Sequence, residues 1–336
     1  MSVQALPAAT QQMIGDEAPG FSGLAVQGVG YSVVDGSSDD IDDLDSAGVH
    51  IYVSRGSQRF INALPDTIGS VTCKVHNIGK LYVKPHQASA TTNRGNLFER
   101  KGRVACGSSC APSGRDYSGT IGAIVKKANH LFALSNNHVF ADCNHTPIGQ
   151  PILSPSAMDG RPGTRAPGEV CRHSEIVELR SGAPTLVVPC REDLALAELS
   201  DPSAVSSWQG DSTDGYDTPT STIAPTTGLA VKKFGRTTGL TFGTVQSLQY
   251  RTHIPYDSEF FRALVWFQGV WSIRSNDSEA FALGGDSGSL VVTDDGKHSV
   301  GILFAAAAKG SHGFIIPMDR VLQAFGSVSL VGKHNT

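Results

Sequence analysis

Gly284-Gly285-Asp286-Ser287-Gly288-Ser289 runs directly into the apolar residues Leu290-Val291-Val292, and this stretch decides how the chain is interpreted. A serine that sits between glycines and follows an aspartate is typical of a tight turn that exposes its hydroxyl. The small neighbours leave backbone N–H groups free to face a developing negative charge. Ser287 is therefore a candidate nucleophile, with the N–H groups of Gly285 and Ser287 as candidate oxyanion donors. The same residue types also form ordinary hairpin turns, so the rest of the chain has to supply the partners.

A histidine in a strand-end setting is the first candidate partner. Nucleophilic attack by a hydroxyl needs a base within hydrogen-bond reach. His138 ends the segment Leu134-Ser135-Asn136-Asn137-His138, which follows an apolar strand pattern, and it is the predicted general base. The chain has 11 histidines, and the local alternatives, His130 and His145, lack this setting.

A carboxylate must then hold the tautomer of that base. Asp193 opens the apolar segment Asp193-Leu194-Ala195-Leu196-Ala197-Glu198-Leu199 and is the predicted partner of His138. Asp142 is nearer to His138 in sequence but belongs to the same loop. The order His138, Asp193, Ser287, with separations of about 55 and about 94 residues, predicts histidine and aspartate in one β unit and serine in a second. The site would lie in the cleft between them.

Composition favours a mainly β protein with more than one domain. The chain has 336 residues, 40% of them hydrophobic, and its short apolar runs are separated by 37 glycines and 17 prolines. A formal net charge of −4 gives no basic surface for nucleic acid. No apolar run approaches the roughly 20 residues of a membrane span, so no membrane partner is expected. Residues 1–10 lack the basic and apolar regions of a leader, which predicts a cytoplasmic protein.

The six cysteines are expected to be reduced thiols in that compartment. A zinc site remains an alternative, but the paired short spacing of structural zinc sites is missing. Neither a metal nor a cofactor is expected. The residues that a zinc site could use are Cys106, Cys110, Cys171, His173 and Cys190.

Turn residues and polar stretches divide the chain. We expect two β-barrels joined by a polar connector at 205–227, and read Gly235-Arg236-Thr237-Thr238-Gly239 as a hairpin within the second barrel. The expected units are a flexible tail (1–20), a small α/β domain (21–95), a linker or arm (96–117), a main β unit (118–326) with barrel one at about 118–205, barrel two at about 227–318 and a helix at about 319–326, and a tail (327–336).

These segments together resemble trypsin-like serine peptidases of the chymotrypsin superfamily. Within it the chain is most similar to an intracellular branch that includes plant narrow-leaf-type and bacterial members. Residues 21–84 look like the small α/β domain that often precedes the protease in this branch. The stretches that carry the resemblance are LSNNHVFA (134–141), IGQPILSPSAMDG (148–160), DLALAEL (193–199), KKFGRTTGLTFGTV (232–245), LGGDSGSLVV (283–292) and VGILFA (300–305).

The resemblance implies a double β-barrel and peptide-bond hydrolysis, with His138, Asp193 and Ser287 in the triad positions. The cysteine that follows the histidine in secreted relatives is Val139 here, consistent with an intracellular protein. The floor of the primary specificity pocket is Phe281, where an acidic residue would select lysine or arginine. An apolar preference is therefore expected.

The pocket walls are expected from Phe281 and Ala282 and from the strand Phe304-Ala305-Ala306, whose backbone would pair with the substrate. Two alternatives stay open. The chain could be a latent or non-catalytic peptide-binding module, restrained by residues 1–117 or by a regulatory partner protein. It could also be an esterase that uses the same triad.

Overall fold

The structure is a computed structural model of the 336-residue chain. It describes residues 3–4, 26–32, 34–35, 48–54, 64–68, 71–83, 97–160, 165–180 and 192–336. Of the expected tail at 1–20, only residues 3–4 are described. Cys190 lies outside the described residues. In the described part, two α-helices and two 3-10 turns accompany the strands: α1 (Asn137–Phe140), α2 (Met318–Ala324), and turns at Ala157–Asp159 and Pro202–Ala204.

The remaining regular structure is β. The strands in the first third are β1 (Val3–Gln4), β2 (Val26–Tyr31), β3 (Val34–Asp35), β4 (Val49–Val53), β5 (Thr67–Ile68), β6 (Val71–Asn77), β7 (Leu81–Tyr82), β8 (Glu99–Arg100), β9 (Arg103–Cys106) and β10 (Ser109–Pro112). Those that follow, up to the chain centre, are β11 (Gly119–Thr120), β12 (Ala123–Lys127), β13 (His130–Ser135), β14 (Pro151–Ser154), β15 (Gly168–Ile176) and β16 (Ala195–Leu199). The last are β17 (Val205–Gln209), β18 (Tyr216–Asp217), β19 (Ala230–Gly235), β20 (Gly239–Asp257), β21 (Arg262–Phe267), β22 (Trp271–Ser275), β23 (Leu290–Thr293), β24 (Ser299–Ala307), β25 (His312–Pro317) and β26 (Val328–Leu330).

The first large sheet holds the segment that carries His138 and Asp193. Its eight strands run in the order β11-β10-β14-β15-β16-β13-β12-β26. β13 lies antiparallel to β16, with Leu134 opposite Leu196 and Ser135 opposite Ala195. Both leucines are fully buried, because the apolar runs place side chains on packed faces of the sheet. This pairing brings the end of β13 and the start of β16 to the same place.

The second large sheet holds the segment that carries Ser287. Its main path is β19-β23-β24-β25-β22-β20-β2-β4-β6-β5, and β7 and β21 pair alongside. β19 and β20 form the expected hairpin, in which Gly235 lies opposite Gly239. The mainly β, two-barrel fold class predicted from the sequence is confirmed.

The N-terminal strands β2, β4 and β6 join this second sheet, whereas β1 and β3 pair with each other. β2 lies antiparallel to β20, and β4 pairs with β2 and in parallel with β6. Three histidine rings lie together where these strands meet: His50 stacks on His76 at 5.0 Å, and His76 meets His312 edge-on at 5.9 Å. Burial and nearby positive charge lower the pKa of His312 to about 4, so this ring is neutral at physiological pH.

Three segments that the sequence assigns to linkers or tails are structured. Residues 97–117, expected as a linker or arm, carry β8, β9 and β10, and β10 pairs with β14 in the first sheet. The expected tail at 327–336 carries β26, which covers the edge of β12. The polar connector at 205–227 contains β17 and β18, and β17 lies parallel to β9. These strands are short and mix polar with apolar residues, so no apolar alternation marks them, although their backbones complete sheet ladders.

Two glycines let the serine loop contact the first sheet. Gly288 has φ +96°, and a Cβ on it would lie 2.2 Å from Ser135 Oγ and 2.3 Å from the Thr120 carbonyl oxygen. A Cβ on Gly122 would lie 2.2 Å from the Gly288 carbonyl oxygen. The Thr120 N–H donates to the Ser287 carbonyl oxygen at 2.9 Å. The backbone around Ser287 is thus fixed against the strands that lead to His138.

Replacing Gly288 with alanine should destabilise the protein more than a glycine replacement that creates backbone strain alone. Gly102 is the matched control, because it has φ +75° and no atom within 4 Å of a built Cβ. We expect Gly102→Ala to cost about 1 kcal/mol and Gly288→Ala about 2 kcal/mol more, from overpacking at the barrel junction. Urea unfolding of both variants measures this. Equal losses would contradict the close packing described for Gly288.

Candidate active site

His138 lies in the short helix α1, directly after β13. The strand ends at Ser135, and the helix turns the chain so that the imidazole is 1% exposed. The Asn136 side-chain amide donates to the Asp193 carbonyl oxygen at 2.7 Å, which ties the start of the helix to the neighbouring strand. The sequence predicts His138 at a strand end, and it lies three residues after the end of β13, in the first turn of α1.

Asp193 meets His138 in the position expected of a carboxylate partner. It lies two residues before β16 begins, rather than at its first residue, and its side chain is fully buried. Oδ2 lies 2.5 Å from Nδ1 of His138, and Oδ1 accepts the His138 backbone N–H at 3.1 Å. A buried carboxylate without donors would be costly, and these contacts supply them.

The sequence alternatives lie in other environments. Asp142 forms an ion pair with Arg115 at 3.1 Å, and burial raises the pKa of the Asp142 carboxyl. His130 pairs with Glu198 at 2.6 Å on the surface. His145 Nδ1 lies 3.2 Å from the Asp142 carbonyl oxygen. None of these contacts involves Ser287 or Asp193.

Ser287 is half-buried at the end of the loop that precedes β23. Its Oγ donates to the Phe304 carbonyl oxygen at 3.5 Å, and in the described part of the chain no hydrogen bond joins Oγ to His138. The neighbouring Gly288 N–H donates to the Leu303 carbonyl oxygen at 2.8 Å. Ser287 therefore lies where β24, the loop and the first sheet meet, and its hydroxyl faces β24.

Three backbone donors of this loop, the N–H groups of Gly284, Gly285 and Ser287, are left over among the described residues. Asp286 N–H donates to Leu283, Gly288 N–H to Leu303, and Ser289 N–H to Asp286. By contrast, the N–H groups of Gly285 and Ser287 have no acceptor among the described residues. Gly285 has φ +96°, a conformation that glycine adopts without strain. These two donors are the ones that the sequence assigns to an oxyanion hole.

Asp286 fixes the shape of the loop. It is fully buried, and its Oδ1 accepts the N–H groups of Thr237 at 2.7 Å and Thr238 at 3.1 Å. Oδ2 accepts the Leu283 N–H at 2.9 Å and lies 3.7 Å from the buried ammonium of Lys233. Burial lowers the pKa of Lys233, while the charge of Asp286 opposes that shift. The hairpin between β19 and β20 thus holds the serine loop by buried polar contacts.

A buried ion pair joins the same hairpin to the first sheet. Arg236 Nε donates to Asp159 Oδ2 at 2.8 Å, and its Nη2 contacts Asp159 Oδ1. Burial acts to raise the pKa of Asp159, but the Arg236 and Ser109 hydrogen bonds outweigh it and lower that pKa. Arg236 N–H also donates to Thr120 Oγ1 at 3.1 Å. The β19–β20 hairpin is therefore bonded both to the serine loop and to the first sheet.

The residues expected around the primary specificity pocket are buried and apolar. Phe281 and Ala282 are 0% exposed, and Ala305 is 2% exposed. A Cβ on Gly313 would lie 2.9 Å from the Phe281 ring, and Gly313 is the strand partner of Ala306. The structure therefore brings Phe281 and the 304–306 strand into one neighbourhood. The Lys233 ammonium lies 5.5 Å from the Phe281 ring, with Asp286 beside it.

One segment of the chain already pairs with the strand expected to bind substrate. Tyr82 lies opposite Ala306 and Leu81 opposite Ala307, antiparallel. The Ala308 N–H donates to the Lys80 carbonyl oxygen at 3.0 Å. Leu81 and Val83 are buried. The part of β24 that pairs with β7 begins at Ala306. It lies two residues after Phe304, whose carbonyl oxygen accepts from Ser287 Oγ.

Tyr256 is the contact that sequence analysis missed. Its hydroxyl donates to Asp193 Oδ2 at 2.7 Å from the other sheet, and its ring lies 6.0 Å from that of His138 in a T-shaped arrangement. Tyr256 is 63 residues from Asp193 and sits in an ordinary strand pattern, so no local motif marks it.

Four buried cysteines of the described residues are free thiols: Cys106, Cys110, Cys143 and Cys171. Burial raises the pKa of Cys106 to about 12, so that thiol stays protonated. No group of three His, Cys, Asp or Glu side chains suited to a metal ion is found among the residues that the structure describes. In the same residues, no helix is long and apolar enough to cross a bilayer.

Comparisons with known proteins return structural similarity alone. A scan against protein-family models and a search of curated proteins gave no match. Among solved structures, a glutamic-acid-specific serine protease described as using a histidine triad in substrate binding is 18% identical, with 68% of this chain and 100% of that chain covered and a TM-score of 0.46. Thermobifida fusca protease A is 18% identical, with coverages of 68% and 99% and a TM-score of 0.46. Cellulomonas bogoriensis chymotrypsin is 17% identical, with coverages of 68% and 97% and a TM-score of 0.44.

At these identities and TM-scores the functional argument rests on the geometry of this chain. The intracellular branch suggested by the sequence, with its plant members, and the cytoplasmic location stay predictions.

Proposed function

We propose that the protein is a serine endopeptidase in which Ser287 attacks the substrate, His138 is the general base and Asp193 orients it. The observation that carries the proposal is the fully buried contact of Asp193 with Nδ1 of His138 at 2.5 Å, next to a serine loop with the unengaged N–H donors of Gly285 and Ser287. A carboxylate on Nδ1 fixes the tautomer that leaves Nε2 free to accept a proton.

The proposed reaction proceeds in two balanced halves. The reaction requires Ser287 Oγ, which contacts the Phe304 carbonyl oxygen in this structure, to come within hydrogen-bond reach of Nε2 of His138. Nε2 takes the hydroxyl proton as Oγ bonds to the scissile carbonyl carbon, and the carbonyl electron pair moves to its oxygen. The Gly285 and Ser287 N–H groups stabilise that oxyanion, each worth about 10²–10³-fold in rate. Collapse breaks the C–N bond, and His138 gives its proton to the leaving amine; water then repeats the steps on the acyl-enzyme.

The substrate class is a protein or peptide with an apolar residue before the scissile bond. Phe281, Ala282 and Ala305 present no carboxylate to a lysine or arginine side chain. The Lys233 ammonium behind Phe281 bonds to Thr238 Oγ1 at 2.8 Å and faces Asp286, so its charge is matched inside the protein. The β24 edge at Ala306 would pair with the substrate backbone.

A latent state is a second candidate, and the position of β7 favours it. Leu81 and Tyr82 pair with β24 where a peptide substrate would add a strand, so the chain's own segment competes with substrate. A regulatory partner that removes β7 would release the site. An esterase on the same triad needs no different contacts, and comparing kcat/KM for matched ester and peptide substrates separates the two.

Ser287→Ala should abolish turnover and keep the fold, because it removes only the attacking atom. We expect kcat to fall by about 10⁶-fold on a peptide that the wild type cleaves. Fluorophosphonate should label the wild type at residue 287, as read by peptide mass mapping. Ser221→Ala, at an exposed serine whose hydroxyl donates to the Lys297 carbonyl oxygen, is the control. Wild-type turnover by a clean Ser287→Ala preparation would refute the nucleophile assignment.

Cleavage of a fluorogenic peptide library should show a preference for small or medium aliphatic residues before the scissile bond. The reason is that the neighbourhood of the proposed pocket, which includes the buried Phe281 and Ala282, is apolar and uncharged. An ammonium or guanidinium placed there would lose its hydration with no counter-charge. Preferred cleavage after lysine or arginine would overturn the specificity proposal and leave the triad proposal intact.

Tyr82→Pro should increase reaction with fluorophosphonate and with peptide substrate, because proline cannot donate in the β7–β24 ladder. Loss of one or two backbone hydrogen bonds at about 1 kcal/mol each predicts a rise of roughly five- to thirtyfold if β7 occupies the site. Thr67→Pro disturbs β5, which pairs with β6 and lies away from β24, and is the matched control.

Three results of that comparison are informative. A larger rate for Tyr82→Pro than for Thr67→Pro supports latency. Equal rates for wild type and both variants, with reaction at Ser287, contradict it. Absence of reaction in all three folded proteins supports a non-catalytic peptide-binding module.

A further inference from the structure

Tyr256 reaches the first sheet from an extension of the second. β20 spans Gly239–Asp257, and its last six residues pair with β21, Thr252 opposite Phe267 through Asp257 opposite Arg262. This part of β20, which we call the extension, carries Tyr256 next to the last residue of the strand. The Tyr256 side chain is 2% exposed. Hydrophobic packing explains why the ring is buried, but the buried hydroxyl also needs a hydrogen-bond partner.

The hydroxyl has one specific partner. It donates to Asp193 Oδ2 at 2.7 Å, the oxygen that also lies 2.5 Å from Nδ1 of His138. Burial, followed by the negative charge of Asp193, raises the pKa of Tyr256 well above its ordinary value. The phenol is therefore protonated, and it must be the donor, because an ionised carboxylate can only accept.

The surroundings hold this donor in place. The Tyr256 ring packs 6.1 Å from Phe261 and 6.3 Å from Phe267, both on or beside β21. It also lies edge-on to the His138 ring at 6.0 Å. On its other side, Tyr256 forms a bridge with Val83, whose N–H donates to the Pro255 carbonyl oxygen at 3.4 Å. The tip of the extension is thus fixed from both sheets.

We infer that Tyr256 is a positioning residue for the Asp193–His138 pair. Its hydroxyl shares the charge of Oδ2, fixes the carboxylate rotation that presents Oδ2 to the imidazole, and its ring keeps water from both. The inference rests on the proposed function for its catalytic meaning, while the hydrogen bond itself can be tested without turnover. If Tyr256 only filled space, its ring alone would be enough. Removing the hydroxyl and keeping the ring therefore distinguishes a positioning role from a packing role.

The main test is Tyr256→Phe in the full-length protein. Because hydrogen bonds to charged groups are worth more than neutral ones, we expect kcat to fall by roughly tenfold to a hundredfold, with KM within about twofold because Tyr256 makes no proposed substrate contact. Loss of the shared donor leaves more of the carboxylate charge on the oxygen that contacts the imidazole. The acidic limb of the kcat/KM–pH profile should therefore move to higher pH.

Tyr52→Phe is the matched control. Its buried hydroxyl bonds to Gln246, Ser247 and Ser272, away from the site. It should lower stability while leaving kcat and the pH profile at wild-type values. If Tyr256→Phe behaves like Tyr52→Phe in an active protein, the positioning role is wrong.

A proton NMR measurement separates failure of this inference from failure of the proposed function. The Nδ1–H resonance of His138, assigned as the downfield signal lost in His138→Gln, should move further downfield in Tyr256→Phe. If the wild type has no activity but the signal moves, the proposed function fails and the positioning role stands. If Tyr256→Phe does not fold, 3,5-difluorotyrosine at position 256 keeps the ring and strengthens the donor. It should move the same signal upfield, and an unchanged signal would overturn the inference.

Discussion

The contact on which the site depends is a backbone contact between two barrels, permitted by two facing glycines. Gly288 and Gly122 leave room for Ser287 and Thr120 to join through an N–H···O bond of 2.9 Å. A single Cβ at either glycine would meet a heavy atom at 2.2 Å. The same close approach places Gly288 against Ser135, three residues before His138. The backbone of Ser287 is therefore held against the strand that leads to His138.

Buried carboxylates then set the orientation of each half. Asp193 holds His138, Asp286 holds the serine loop, and Asp159 holds the hairpin that supports that loop. Burying a charge without partners costs several kcal/mol, and each of these carboxylates is surrounded by N–H or O–H donors. The arrangement is therefore specific in geometry, because an alternative loop conformation would leave one of these charges unpaired.

How much of the site could be predicted from the sequence depends on how far apart in the chain the interacting residues lie. The serine loop and the histidine segment are local patterns, so Ser287 and His138 could be recognised from a few neighbours each. Asp193 followed from chain order and an apolar strand signal, although it precedes its strand by two residues. Tyr256 could not be found, because its role depends on a pairing of β20 and β21 that carries it to the other sheet.

The same reasoning explains the segments that were misassigned. β9 and β10 lie in a stretch of Gly, Ser and Cys, where backbone pairing and not apolar alternation stabilises the strands. β7 has only two paired residues, and its partner lies more than 200 residues away at Ala306. A sequence pattern contains no sign of such a partner, yet the proposed latent state depends on this pairing.

The central claim is that His138, Asp193 and Ser287 converge to carry out acyl transfer. A crystal structure of the protein after reaction with a peptidyl boronate tests it most directly. The account predicts a bond from boron to Ser287 Oγ, a boronate oxygen about 3 Å from the N–H groups of Gly285 and Ser287, and a peptide strand on Ala306 in place of β7. A boronate bound at another side chain, or a Ser287 that remains unmodified beside an intact His138–Asp193 pair, would contradict it.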